Sequence, residues 1–346
     1  NEGLIIKIQH HRQSSKMLNN VNKILLFSLL FMPFVNAQLV PIEEHEMSQT
    51  IGQAFINVDR LQTARNSSNE LIDTTKITLG LDIKTSVNAD LLDLGNYERN
   101  GSAGSDIRIN DFALGRIDSD GKIVPFEISD PFIELAFDTD ANGKENLIGL
   151  RLGFGGAKGA LSGNIESLTG KINIDIFGRA APVRASTTGF NRFLLSVAGI
   201  SNNTILRAEA ELVQANGVAN PVRATTVGIP NGDNLSCIDD CGLLSGPALA
   251  LLGSNDCNVL GIETCFPIDI YRTLEVGNKQ GDGSFNKAPG LFLSFLSEKI
   301  TWEPGTQQTE TGAFLNVPNG GLEVDFAQAF NGIERARTKY VDAYYD

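Results

Sequence analysis

Apolar and polar side chains alternate with a period of two over long stretches of this chain, the pattern of strands with one face turned to a core. Ile77, Leu79, Leu81 and Ile83 alternate with Thr78, Gly80, Asp82 and Lys84, which predicts one strand. Ile107 and Ile109 open another, and the apolar frame then slips to Phe112 and Leu114, which predicts a bulge. The run Asp118 to Gly121 reads as a hairpin turn. The return strand, Ile123 to Ile128, holds Pro125 and so reads as an edge strand. Ile133, Leu135 and Phe137 form a further strand, 138–146 turns the chain, and Ile148, Leu150, Leu152 and Phe154 alternate on the way back. Gly149, Gly153 and Gly155 leave little on the opposite face there, so something packs closely against it. Ile172 to Ile176, Leu206 to Leu212, Leu291 to Leu296 (with Ile300 and Trp302 beyond) and Leu322 to Phe326 complete the strand pattern.

Helices are few. Segment 40–55 is expected to form a short one, with Pro41 in the first turn, Glu43 and Glu44 at its positive end and Gly52 as a stop. Phe190, Phe193, Leu194 and Val197 stand at i, i+3, i+4 and i+7 before Gly199, an amphipathic helix with a glycine stop. Phe330, Ile333, Tyr340 and Tyr344 suggest a terminal helix carrying Arg335, Arg337 and Lys339 outward. Segments 62–75 and 95–106, rich in Asn, Ser, Thr and Gly, read as loops. The phrase Pro182-Val-Arg-Ala-Ser-Thr-Thr-Gly189 is echoed by Pro221-Val-Arg-Ala-Thr-Thr-Val-Gly228, and one echo does not make a repeat array.

The amino-terminal region adds an export signal. Residues 1–16 are set aside as lying upstream of Met17, the expected start. Lys23 precedes an apolar run from Ile24 to Val35, too short to span a bilayer, which takes about 20 residues. Val35, Asn36 and Ala37 suit cleavage after Ala37, so 17–37 reads as a signal peptide and the mature chain as beginning at Gln38. The whole chain carries 28 Lys and Arg against 41 Asp and Glu, a balance of −13. Removing 1–37 takes away Lys7, Arg12, Lys16, Lys23 and Glu2 and leaves −16. Such a surface repels nucleic acid and anionic lipid.

All four cysteines lie close together: Cys237, Cys241, Cys257 and Cys265. An even, clustered set in an exported chain reads as two disulfides. The spacing lacks Cys-x-x-Cys and no histidine is near, which argues against zinc. The pairing 237–241 with 257–265 is favoured, and the nested pairing 237–265 with 241–257 is the alternative.

Catalytic signals are missing from the sequence. The mature chain has one histidine, His45, among glutamates, and reads as a surface residue rather than as half of a nucleophile–base pair. Gly153-Phe-Gly-Gly156 lacks the Lys-Ser/Thr of a phosphate loop. Asp138, Asp140, Asn142 and Gly143 match half of a calcium loop, but the twelfth position is Gly149, and a plain hairpin accounts for the composition. Glycosidase carboxylates are not singled out by aromatic platforms. No catalytic residue, cofactor or metal is assigned.

Two stretches carry a family resemblance. Met47-Ser-Gln-Thr-Ile-Gly-Gln-Ala54 is one. The other runs from Ile107-Arg-Ile-Asn-Asp-Phe-Ala-Leu-Gly-Arg116 through Val124 to Leu135 and on to Leu161-Ser-Gly-Asn-Ile-Glu-Ser-Leu-Thr-Gly170. They resemble the FilA-type pilus-system proteins of Gram-negative bacteria, and the likeness extends to the phrase at Pro221. It implies a non-catalytic structural or assembly role at the cell surface or in the periplasm. It also implies association with the outer membrane, and other exported pilus proteins as partners. A surface glycan- or protein-binding module is the alternative function, and a secreted hydrolase the third. The expected fold is mainly β, an antiparallel sandwich-like or partly open sheet with a few short helices. A β-barrel is the alternative. Within it, 38–75 is expected to hold the helix and polar loop, 76–229 a β-rich core, and 230–346 the disulfide loops, last strands and helix.

Overall fold

The computed structural model describes residues 56–140, 142–242, 245, 249, 253–259 and 261–338. The signal segment, the 40–55 helix, His45 and the last eight residues lie outside them. The fold is mainly β, with several sheets, none of them closed into a barrel. Its strands are β1 (Ile56–Arg65), β2 (Leu71–Leu79), β3 (Asp82–Thr85), β4 (Val87–Arg99), β5 (Ser102–Leu114), β6 (Phe126–Thr139), β7 (Glu145–Ser167), β8 (Gly170–Ile172) and β9 (Ile174–Arg179). Helices α1 (Ala181–Ser186) and α2 (Gly189–Val197) follow, then β10 (Ile205–Val213), β11 (Thr226–Gly228), β12 (Ser236–Asp239), β13 (Cys265–Pro267) and β14 (Thr273–Val276). The chain continues through β15 (Phe292–Leu296), β16 (Gly312–Val317), β17 (Glu323–Val324) and α3 (Phe326–Asn331). Short two-residue ladders join the intervening loops.

The large sheet runs β1-β2-β6-β7-β15-β16-β8, with β3 continuing the pairing of β2 along β6. Strand β7 is 23 residues long and serves two layers. Its first part, to Lys158, pairs with β6 and β15; from Gly159 onward it pairs with β14 and β5, and β5 carries β4. A second sheet runs β13-β11-β10-β9-β17, with β12 on β10. The main core gathers Ile107, Ile109 and Ile165 with Ile174, Leu206, Leu212 and Phe326. A smaller core holds Ala64, Ile72, Ala136, Ile148, Leu296, Ile300 and Trp302.

Several expectations need correction. The polar stretch 62–75 is a hairpin, not a loop: β1 pairs with β2 around a turn closed by Asn66, whose side chain accepts from the amides of Ser68 and Glu70. Burial of Ala64, Ile72 and Thr74 against the Trp302 cluster outweighs the polar composition. The boundary at residue 76 therefore falls inside β2. The stretch 95–106 is likewise the β4–β5 hairpin, turning at Asn100-Gly101 with φ of 51° and 80°. Positive φ at both central residues is the geometry of a primed turn, which Asn-Gly adopts readily. The strand expected over 77–83 breaks after Leu79 and resumes at Asp82. The return strand expected over 123–128 is split at Pro125: Ile123–Val124 pairs with Arg116–Ile117 in a two-stranded ladder, while Phe126 onward joins the strand expected over 133–137 as β6, which is interior rather than an edge. Of the expected terminal helix, Tyr340 and Tyr344 lie outside the described residues, 332–338 are not helical, and a helix instead spans Phe326–Asn331. Asp325 and Gln328 form a capping box, Phe326 starts α3 rather than ending a strand, and Gly332 stops it. The bulge near Asp111 and the hairpin at Asp118 are present. Helix α2 forms where its spacing placed it, but it buries Leu195, while Phe190, Phe193 and Val197 face solvent.

Candidate functional site

Register across five strands builds one row of side chains. Lys76 of β2 opposes Glu134 of β6, Glu134 opposes Arg151 of β7, Arg151 opposes Ser294 of β15, and Ser294 opposes Phe314 of β16. Opposed residues share a face of the sheet. The neighbouring row on that face is Phe132, Gly153, Phe292, Asn316 and Lys171 of β8. A side chain at Gly153 would fall on the Phe132 ring, so glycine there lets the ring lie flat across β7. At Gly149 an added Cβ would stand 2.6 Å from Leu296 and 2.8 Å from Ile300. The bare face implied by the glycines is thus occupied by apolar side chains.

The segment from Ser297 to Thr311 crosses this face, tied down where Thr301 bridges to Arg65 and Ile300 to Thr309. Between it and the sheet lies a cleft of about 580 Å³, walled by Phe132, Phe154, Phe292 and Trp302 and bordered by Lys76, Lys171, Gln307, Asn316 and Asn319. That volume falls within the usual range for small-molecule sites, roughly 300–1,000 Å³.

Arg151 forms the floor and is 4% exposed. Its guanidinium bonds Glu134 through Nε at 3.0 Å and also through Nη2, and reaches Glu303 at 3.3 Å. The rings of Trp302, Phe292 and Phe132 stand 4.6, 5.1 and 5.3 Å from it. Buried charge is tolerated where a partner and hydrogen bonds compensate for lost water, and aromatic faces add attraction. Arg151 therefore organises the cleft, with Glu134 and Glu303 answering its charge. Lys76 stands 4.0 Å over the Phe132 ring. Neither Lys76 nor Lys171 is within ion-pair distance of a carboxylate among the described residues, although Lys171 feels the field of Glu211. The arrangement offers cations, carboxamides and ring faces, a set suited to holding a ligand.

The opposite face of the same sheet has another character. Ile56, Val58, Leu71, Ile133 and Leu147 project from it and are each 45–58% exposed. Val58, Ile77 and Ile133 are in one register row. Beside them, the outer edge of β1 pairs with no described strand from Ile56 to Ala64; the Arg65–Thr301 bridge covers its last residue.

The cysteines pair as 237–241 and 257–265, the adjacent arrangement. Disulfides of this kind belong to chains that fold in an oxidising, exported environment. No helix among the described residues is long and apolar enough to cross a membrane. Asp140 accepts from the amides of Asn142 and Lys144 within its own turn, which holds its carboxyl below the usual carboxylate range. Gly153 to Gly156 lie mid-strand in β7, not at a helix start. The echoed phrases differ in structure. Arg184 sits in α1 and bonds Asn202 and the Ile200 carbonyl, whereas Arg223 sits in a loop at φ 46° and clasps Asp106. The cleft residues were not singled out by any motif; the signal for them was the glycine alternation in β7.

Compared with known proteins, the chain matches no family model, no curated protein and no solved structure.

Proposed function

We propose that this chain is an exported, non-catalytic assembly component of a cell-surface pilus system, joined to its partner through the open edge and bare apolar face at β1. The observation that carries the reading is the coincidence of the two features on one sheet end. An unpaired strand edge presents backbone donors and acceptors that another strand can complete. Large apolar side chains clustered beside it mark a surface that a partner covers. The family resemblance supplies the class of partner, another exported pilus protein, and the disulfides agree with export. That the role is non-catalytic rests on the sequence, whose expected mature region from Gln38 has no histidine beyond His45 and no nucleophile motif.

The test is cross-linking at the cell surface with the parent and with Val58→Lys. Val58 is exposed, so the substitution leaves the fold intact while a lysine at the edge opposes strand addition. Loss of the cross-linked complex and of surface fibres or adhesion is expected. Fibres and adhesion unchanged both by the variant and by deletion of the gene would sink the reading. The cleft favours a second role, recognition of a surface ligand.

A further inference from the structure

We infer that the Arg151 cleft binds an acidic oligosaccharide, of the uronate type, independently of assembly through β1. Three features of the cleft lead there. First, its cations sit at opposite ends. Lys171 on β8 and Lys76 on β2 are separated by five strand steps, so their backbones are about 24 Å apart at the usual strand spacing. That span suits an extended ligand with repeated negative charge better than a single small anion. Neither ammonium group has an ion-pair partner among the described residues, so each can meet a negative charge on a ligand.

Second, the space between the lysines is lined by ring faces and carboxamides. Phe132 and Phe292 flank Gly153, and Asn316 lies between Phe292 and Lys171. Rings pack against the apolar C–H faces of a sugar, and carboxamides both donate to and accept from its hydroxyls. Lysine ammonium groups hold carboxylates through charge-assisted hydrogen bonds.

Third, the floor argues against a peptide. Strands β2, β6, β7, β15 and β16 are all interior, each paired on both sides. None of these five offers an edge for a peptide backbone, and β8, which ends the sheet, has its outer Gly170 amide bonded to the Pro221 carbonyl, so strand addition, a principal route to peptide capture, is closed along the floor. Recognition falls to side chains alone, which suits a saccharide. Arg151 is already committed to Glu134 and Glu303, so it stiffens the floor and the ring cage rather than meeting the ligand's charge.

The chain has a single tryptophan, and it lines the cleft beside Arg151, so its fluorescence reports occupancy. The experiment titrates the intact protein with oligogalacturonate, with a neutral oligoglucan and with poly-glutamate, following Trp302 emission. Saturable binding of oligogalacturonate alone is expected, weakening as salt is raised. Lys76→Gln and Lys171→Gln should each weaken it by about tenfold, the scale of one charge-assisted contact. Lys122→Gln, on a distant exposed turn, should not. Both test variants keep a polar side chain one atom shorter and remove its charge, and an unchanged melting temperature verifies their folding. No binding at millimolar saccharide, equal binding of the neutral glucan, preference for poly-glutamate, or indifference to both lysine variants would each overturn the inference. Val58→Lys should leave this binding untouched, so failure of the assembly reading and failure of this one are separable.

Discussion

Asp106 is fully buried, and its surroundings make Arg223 the side chain whose loss the fold should feel most. Arg223 donates from Nε to Asp106 at 3.1 Å, and its other nitrogens reach the Ser102 and Tyr97 carbonyls at 2.9 and 2.8 Å. One residue thereby ties the 221–225 loop to the β4–β5 hairpin. Replacing it with leucine leaves the Asp106 carboxylate two weaker partners, the Ala313 amide at 3.0 Å and Arg99 at 4.0 Å. Removing one member of a buried ion pair costs about 3–5 kcal/mol, because the remaining charge stays out of water. At about 2–4 °C per kcal/mol for a large domain, Arg223→Leu should lower the melting temperature by roughly 6–20 °C. Chemical denaturation, with an unchanged slope, measures the same loss at 25 °C. The double variant Arg223→Leu/Asp106→Asn removes the stranded charge as well and should recover more than half of it. A loss below about 1 kcal/mol in the single variant, or no recovery in the double, would refute the account of the Asp106 knot as a compensated buried charge.

Two further outcomes follow from the second sheet and its disulfides. Burial raises the Glu211 carboxyl above its ordinary 4.5, outweighing the attraction of Lys171. The folded chain then holds that proton more tightly than the unfolded chain. Stability from the group is complete below pH 4.5 and lost as pH rises through the raised folded value. Glu211→Gln should accordingly be more stable than the parent at pH 7, with the gap closing as pH falls below 4.5, read from denaturant midpoints; a gap independent of pH counts against it. Cys257→Ser/Cys265→Ser, which opens a bridge of sequence separation 8, should cost about 2.5 kcal/mol by loop entropy alone. Cys237→Ser/Cys241→Ser, with separation 4, should cost about 2 kcal/mol, and equal stability of either variant with the parent refutes the bridge concerned.

Alternation made the strands legible where one side of the sheet is apolar, as in 133–137 and 148–154. It failed where polar residues are buried by distant partners. The β1–β2 hairpin reads as a loop because Thr74 and Asn66 are polar, yet they are buried beside residues far along the chain. Asn100-Gly101 carried a local turn signal, outvoted by the Gly and Ser around it. The capping box of Asp325 and Gln328 was also local and fixes the start of α3, which apolar spacing alone set too late. The cleft was legible only as a gap. Three glycines in β7 announced close packing, but which rings fill the space depends on register between residues as far apart as Arg151 and Ser294, and no local pattern contains it. The exposed Phe190 and Phe193 show the converse, a helix whose periodicity was right and whose apolar face is not the buried one.

The period of two also explains how one sheet can host two surfaces without conflict. Lys76, Phe132, Arg151 and Phe292 occupy one face, and Ile77, Ile133, Leu152 and Leu293 the other, because each is a sequence neighbour of its counterpart. A partner that covers Val58 and Ile133 therefore approaches from the side away from the cleft. The two faces are nevertheless tied together at one point. Thr301 bonds Arg65 at the end of β1, while the next residue, Trp302, stands over Arg151. A partner strand that extended along β1 would have to stop at Arg65 or displace Thr301. If it stops, saccharide affinity is the same in the free and assembled protein. If it displaces Thr301, Trp302 moves and its emission changes on assembly without any saccharide present. The hydrogen bonds of Arg65 to Thr301, at 2.8 and 2.9 Å in both directions, and the burial of Ile300 and Trp302 beside them favour the first outcome.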